Sequence, residues 1–343
     1  MNDKNLINKD FIRGFLEHLS PERTLVGPVD TGKVIEYREA KTDEILFNDD
    51  FTYNSIKSYF FPQTELMFIF ENDEVNDNKN IPGYVIFGAR PCDLEALRVM
   101  NAVYTTGKYI DPFFQRRLDA NFIIGIGCKN IKPGCFCTEM NINKEFSDYC
   151  DIMLFPENDS YIITHISEKG TLALKSYYDA IEINRELDFN DFLLINTNKS
   201  IIKNKPELEN KLMLDINKHD SDYFDVIDWE KVTETCQGCG ICTYICPTCY
   251  CFDFKDVTKH GKAERYKCWD SCMYPKFTLH ASGHNPRNKR YERYRQRVLH
   301  KYKYVPENFA GHTACTGCGR CIRNCPVGIN IKNILKQLIG NTK

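Results

Sequence analysis

The chain has 343 residues, with 45 Lys and Arg, 47 Asp and Glu, and 17 Cys. The near-neutral total hides an asymmetry: residues 1–225 carry 25 basic against 38 acidic side chains, residues 226–343 carry 20 against 9, and 12 of the cysteines lie from Cys236 onward. No apolar run approaches the roughly 18–20 residues that span a bilayer, and Met1-Asn-Asp-Lys-Asn-Leu6 has no apolar core of a secretory signal, so a cytoplasmic chain is expected, whose cysteines argue for metal or redox chemistry rather than a disulfide framework.

Asp10–Leu19 has helical spacing of Phe11, Phe15, Leu16 and Leu19. Leu66–Phe70, Tyr84–Phe87 and Phe122–Gly127 are short apolar runs that read as buried strands. Asp111-Pro112 is a capping residue before a proline, which predicts a helix through Leu118. Asp151–Phe155 and Tyr161–Ile166 predict a strand pair across Pro156–Ser160, and Gly170–Ile181 a helix. Pro206 starts a predicted helix through Asn217. The acidic stretch Lys218–Asp228 marks a domain boundary. The expectation is an α/β (or α+β) domain over residues 1–225, then a mostly α-helical, cysteine-rich domain over 226–343 with a long basic insertion at 247–314, whose cysteine repeat, given next, makes it two-cluster and bacterial ferredoxin-like.

One internal repeat is the most informative feature. Cys236-x2-Cys239-x2-Cys242-x3-Cys246-Pro247 is followed by Cys315-x2-Cys318-x2-Cys321-x3-Cys325-Pro326. This is the spacing that holds 4Fe–4S clusters in two-cluster ferredoxins, where the fourth cysteine of each run ligates the other cluster. Cys236, Cys239, Cys242 and Cys325 are therefore candidate ligands of one cluster, and Cys246, Cys315, Cys318 and Cys321 of the second. Zinc would prefer separated Cys-x2-Cys pairs in a tetrahedral cage, a poor match.

Within the insertion, Lys259–Lys303 holds 13 Lys and Arg and three acids, with Arg290, Arg293 and Arg297 at helical spacing between tyrosines. Three readings stand: a solvated basic face, a phosphate-binding surface for nucleic acid, or charge compensation beside anionic cubes. Of the remaining cysteines, Cys92 follows Phe87-Gly-Ala-Arg-Pro at the start of a helix read as capped by Asp93, and Cys128 follows the strand Phe122–Gly127. If those strands are neighbours, both thiols reach one sheet edge. With Cys135 and Cys137 they make four candidates for a third cluster, against a reading as structural thiols. Cys249, Cys251 and Cys272 are rival ligands. Other chemistries are missing: Asn130 spoils a dinucleotide fingerprint after Gly125-x-Gly127, and Val34 and Pro28 spoil the near P-loop Gly27–Val34.

At these residues the chain resembles the beta subunits of NAD(P)-linked sulfhydrogenases and the A subunit of anaerobic sulfite reductase. The resemblance covers nearly the whole chain and rests on Phe87-Gly-x-x-Pro-Cys-Asp93, Ile124-Gly-Ile-Gly-Cys128, Cys135-Phe-Cys137, Cys246-Pro-Thr-Cys-x-Cys251, Trp269-Asp-Ser-Cys272, Gly283-His-Asn-x-Arg287, Arg293-x-Arg295 and His300-Lys301. It implies two 4Fe–4S clusters, a partner subunit carrying flavin and binding NAD(P), and a catalytic hydrogenase or sulfite reductase subunit at the other end of an electron relay. The chain is then an electron-transfer component rather than an independent catalyst. Two other classes stay open: a self-sufficient reductase with its own flavin, and an iron–sulfur protein that binds nucleic acid.

Overall fold

A computed structural model describes residues 7–47, 50–181, 189, 212–215, 217–309 and 313–341. The strands are β1 (Thr24–Asp30), β2 (Ile35–Glu39), β3 (Thr64–Glu71), β4 (Glu74–Asp77), β5 (Tyr84–Ala89), β6 (Phe122–Ile126), β7 (Ile152–Glu157), β8 (Ser160–His165), β9 (Phe252–Lys259) and β10 (Lys262–Trp269). The longer helices are α1 (Lys9–Leu19), α2 (Pro91–Thr105), α3 (Pro112–Ala120), α4 (Glu168–Ala180), α5 (Arg290–Leu299) and α6 (Ile331–Asn341).

The first sheet runs β2-β1-β5-β6-β7-β8. Strands β1, β5, β6 and β7 are parallel, and the outer β2 and β8 are antiparallel to their neighbours. Alternate residues serve opposite faces. Val85, Phe87, Ile124 and Leu154 pack with Phe15 and Leu16 of α1 and Leu174 of α4. Ile86, Ile123 and Met153 pack with Leu94 and Leu97 of α2 and Phe114 of α3. Covered on both faces, the central strands are continuous apolar runs. Asp111 accepts from the Phe113 and Phe114 amides and starts α3 as its sequence predicts. The near P-loop is no loop before a helix: Gly27 and Pro28 lie inside β1.

Asp93 is not the cap of α2. Arg90 occupies the N-cap position but its guanidinium donates to the Asp50 carbonyl at 3.1 Å rather than capping the helix, Pro91 follows in the first turn, and Asp93 is buried one turn in. A long-range partner claims its carboxylate, as shown below. The helix expected from Pro206 lies largely outside the described residues.

The second sheet crosses the compositional boundary. Its order is β4-β3-β10-β9, so the hairpin Phe252–Trp269 from the insertion pairs with a hairpin from the first half of the chain. The C-terminal part is therefore not mostly helical. Residues of β9 are largely exposed and its Lys and Asp mask the strand pattern, so pairing of β10 with β3 decides the conformation. Charge secures the junction. Lys267, 2% exposed, meets Glu65 at 2.8 Å and Asp111 at 3.3 Å. Arg117 meets the same Glu65 at 2.8 Å. Beside this network Trp269 stacks on Phe61, with centroids 6.0 Å apart, and donates its indole N–H to the Phe61 carbonyl at 3.0 Å.

The rest of the C-terminal part is one-turn helices (Ile241–Tyr244 and Arg320–Arg323), α5 and α6 around a core that includes Tyr294, Val298, Tyr302 and Leu335. Helix α5 runs into a π-helical turn over His300–Tyr304. No helix among the described residues is long and apolar enough to cross a membrane. Removing the ammonium in Lys267→Ala leaves Asp111 and part of Glu65 uncompensated. The expected loss is about 3 kcal/mol in anaerobic denaturant unfolding, at the low end for a broken buried pair because Arg117 stays.

Candidate iron–sulfur centres

Cys236, Cys239 and Cys242 lie on one tight turn before and within the helix Ile241–Tyr244. The fourth wall is not supplied locally. Cys325, from the second repeat, borders the same cavity, which encloses about 480 Å³ with its mouth included. Backbone amides point at the sulfurs: Gly238 N–H donates to Cys236 Sγ at 3.4 Å and Ile329 N–H to Cys325 Sγ at 3.2 Å. Reciprocally, Cys246 lies within electrostatic reach of Cys315, Cys318 and Cys321. The two repeats thus interleave.

These donors fit a polynuclear iron–sulfur group better than zinc. Among the described residues, no three Cys, His, Asp or Glu side chains converge on a point that would hold a single ion. Zinc, with Zn–S near 2.3 Å, would demand that convergence. Thiols spread around a cavity, with amides donating to them, suit a cube that presents its irons at several corners.

Burial acts against the thiolates these ligands must become. It pushes the Cys318 thiol up to about 11 and the Cys321 thiol up to about 12, while Arg320 and Arg297 respectively pull the other way. Burial likewise raises Cys242 and Cys315, opposed by Arg297 and Lys301. Cys246 differs: a hydrogen bond from Cys249 holds it well below its ordinary value, against burial and with help from Lys301 and Arg297.

Of those cations Arg297 and Lys301 come from the insertion, on α5 and the turn that extends it, while Arg320 opens the one-turn helix of the second repeat. Arg290 donates to the Cys236 carbonyl, Arg293 to the Met273 carbonyl at 3.0 Å, and Arg297 to the Cys242 carbonyl at 2.7 Å. Lys301 Nζ donates to Cys246 Sγ at 3.2 Å, Thr248 Oγ1 at 2.9 Å and the Ala314 carbonyl at 2.9 Å. Arg297 and Lys301 are 2% and 3% exposed, so they are closed to an external phosphate. The helical spacing of these arginines was visible in the sequence; that they point inward was not.

The four cysteines of the first half also gather. Cys92, Cys128, Cys135 and Cys137 border one cavity of about 530 Å³, mouth included, whose wall also contains Cys318, Arg320 and Arg323. Parallel pairing of β5 with β6 brings Cys92 and Cys128 to one sheet edge. The loop carrying Cys135 and Cys137 lies against the second repeat. Phe136 N–H donates to the Gly317 carbonyl at 2.7 Å, and Cys135 Sγ to the Cys318 carbonyl at 3.3 Å. Gly317 has φ +60, and a Cβ there would stand 2.6 Å from the Phe136 and Cys137 backbone. Behind the wall, Arg320 forms a two-pronged ion pair with Asp93 at 2.5 and 2.8 Å and donates to Thr52 Oγ1 at 2.9 Å. Neither Arg320 nor Asp93 was singled out for this role by sequence, because the pair spans 227 residues.

The rivals lie elsewhere. The Cys249 thiol hydrogen-bonds to Cys246, and that of Cys272 to Cys251 beside a recess lined with Tyr250, Arg287 and His300. His300 accepts from or donates to the Tyr250 hydroxyl at 3.1 Å, and burial, then Lys301 and Arg287, pushes its imidazole down to about 4. Lys57 from the first half reaches the Cys249 carbonyl at 3.0 Å and lies 3.7 Å over the Trp269 ring. Cys150 packs in the core of the first sheet, and Cys268 lies in β10.

The interleaved repeats and their buried cations define an iron–sulfur protein. Residues 235–329 match the family described as a 4Fe-4S dicluster domain. The chain is 28% identical over 344 residues to the sulfhydrogenase 2 subunit beta of Pyrococcus furiosus, covering 97% of this chain and 97% of that protein. Over its full length the chain is thus similar to an iron–sulfur subunit of an oxidoreductase, with the dicluster domain in its C-terminal part. No solved structure gives a significant match.

Lys301→Met removes the positive charge beside Cys246 and keeps the stem. Redox titration followed by electron paramagnetic resonance should show one cluster's midpoint potential fall by on the order of 100 mV, the size of a few kcal/mol of Coulomb energy at an effective dielectric of about 20.

Proposed function

We propose that the chain is the electron relay of a cytoplasmic hydrogenase-type redox complex, standing between a flavin-carrying, NAD(P)-linked subunit and a catalytic subunit that is a hydrogenase or a sulfite reductase. Cys236, Cys239, Cys242 and Cys325 hold one 4Fe–4S cluster, and Cys246, Cys315, Cys318 and Cys321 hold the second. The chemistry these groups supply is one-electron transfer. The chain itself contributes thiolates, amides aimed at sulfur, and the cations Arg297 and Lys301 that make buried thiolates tenable. The observation that supports this reading is that Cys325 of the second repeat borders the same cavity as Cys236, Cys239 and Cys242, where Cys321 also reaches the wall. Full-length similarity to a sulfhydrogenase beta subunit supports the setting in a complex.

Cys239→Ser and Cys246→Ser should each lower iron by about four per chain after anaerobic purification, one cubane's worth. Unchanged iron in both variants would refute the ligand sets. The setting is checked by isolating the native complex without oxygen. NAD(P)H should bleach the iron–sulfur absorbance only when a flavin subunit co-purifies. Release of flavin from the isolated chain on denaturation would instead make it a self-sufficient reductase.

A further inference from the structure

We infer that Cys92, Cys128, Cys135 and Cys137 hold a third 4Fe–4S cluster, placed to exchange electrons with the centre that Cys318 serves. No one of these thiols carries the inference; their convergence does. They come from three separate segments: the turn after β5, the turn after β6, and the loop over residues 133–137. Parallel strands deliver the first two to the carboxyl-terminal edge of the sheet, where open α/β sheets place their ligands. The third segment is held from outside the sheet, by Phe136 on Gly317 and by Arg323, which donates to the Pro133 and Cys318 carbonyls at 3.0 Å each and to Cys135 Sγ at 3.3 Å.

Size and chemistry agree. The cavity, about 530 Å³, is close in size to the one of about 480 Å³ at the first repeat, mouths included. Arg320, Arg323, Lys132 and Lys144 line it, which suits a cube that is an anion when bound by four thiolates. Purely structural thiols would not need to face a common space. Cys150, buried in the apolar core and bonded to the Ser147 carbonyl at 3.5 Å, shows what such a thiol looks like in this fold.

The shared wall gives the site its role. Cys318 borders this cavity while lying within reach of Cys246. The order along the chain of centres is then the first-repeat cavity, the second, and this one. The chemistry added is single-electron exchange with the neighbour, one centre losing what the other gains, with no bond or proton changing hands. The third site extends the relay toward Arg323 and Lys132, which line its cavity and are partly exposed.

The test is metal analysis of the full chain, purified without oxygen and reconstituted with iron and sulfide. About twelve irons and twelve sulfides per chain are expected, three cubanes' worth. Cys128→Ser and Cys137→Ser should each carry about four fewer irons than wild type prepared in parallel, and keep the electron paramagnetic resonance signals of the reduced dicluster. Because this is a difference between proteins, it stands apart from the ligand sets of the two repeats. Iron in both variants equal to wild type overturns the inference, as does zinc bound at these thiols in place of iron. A second measurement needs no variant. In native holoprotein all four thiols should resist iodoacetamide until the iron is chelated, and alkylation of the four before chelation overturns the proposal.

Discussion

The constraint on which the rest of the structure depends is the cost of a thiolate away from water. An iron–sulfur cube needs four of them, and a relay needs its cubes in a dry, fixed setting. Burial alone drives these thiols toward their neutral form, as Cys318 and Cys321 show. The fold answers with fixed positive charge. Arg297, Lys301 and Arg320 are each at most 3% exposed and each lies beside the cysteine repeats. Part of the excess of basic residues after residue 225 is therefore an internal matter, set against cysteine backbone and sulfur, while other basic residues such as Lys255, Lys259 and Lys276 face solvent.

A second consequence is that the two halves of the chain cannot be separated cleanly. The insertion that carries Arg297 and Lys301 also sends out the hairpin β9–β10, which completes a sheet with β3 and β4. Lys267 is buried at that junction between Glu65 and Asp111, and Arg320 is buried at the other between Asp93 and Thr52. Both are ion pairs whose partners are supplied from opposite sides of the compositional boundary. Breaking either leaves a charge stranded in a low-dielectric site, so the relative placement of the cysteine sets is held by energies of several kcal/mol rather than by loose contact.

How much of this was legible in the sequence depended on range. Local signals read well: the apolar run Tyr84–Ala89 became β5, Asp111-Pro112 opened α3, and the Pro156–Ser160 turn joined β7 to β8. The spacing of the two repeats suggested an exchange of fourth cysteines, because Cys-Pro after three residues points away from its own turn. The proximity of Cys92 and Cys128 followed from one assumption, that their strands are neighbours. What escaped was decided at a distance. Asp93 looked like a helix cap because nothing nearby reveals Arg320. The strand Phe252–Lys259 was hidden by its Lys and Asp residues, since its conformation is set by pairing rather than by an apolar face. Cys318 carried no mark of bordering two sites.

The central claim is that the two cysteine repeats form one interleaved pair of iron–sulfur centres, close enough to act as a relay. Electron paramagnetic resonance of the dithionite-reduced, anaerobically purified chain tests it most directly. Two reduced cubes side by side broaden each other's spectra, so in a Cys128→Ser background, which leaves the clusters of the two repeats alone, the account predicts a complex, magnetically coupled signal that simplifies to that of one isolated cluster when Cys325→Ser is added. A wild-type spectrum of independent, uncoupled clusters, or a protein that holds zinc and gives no signal at all, would contradict it.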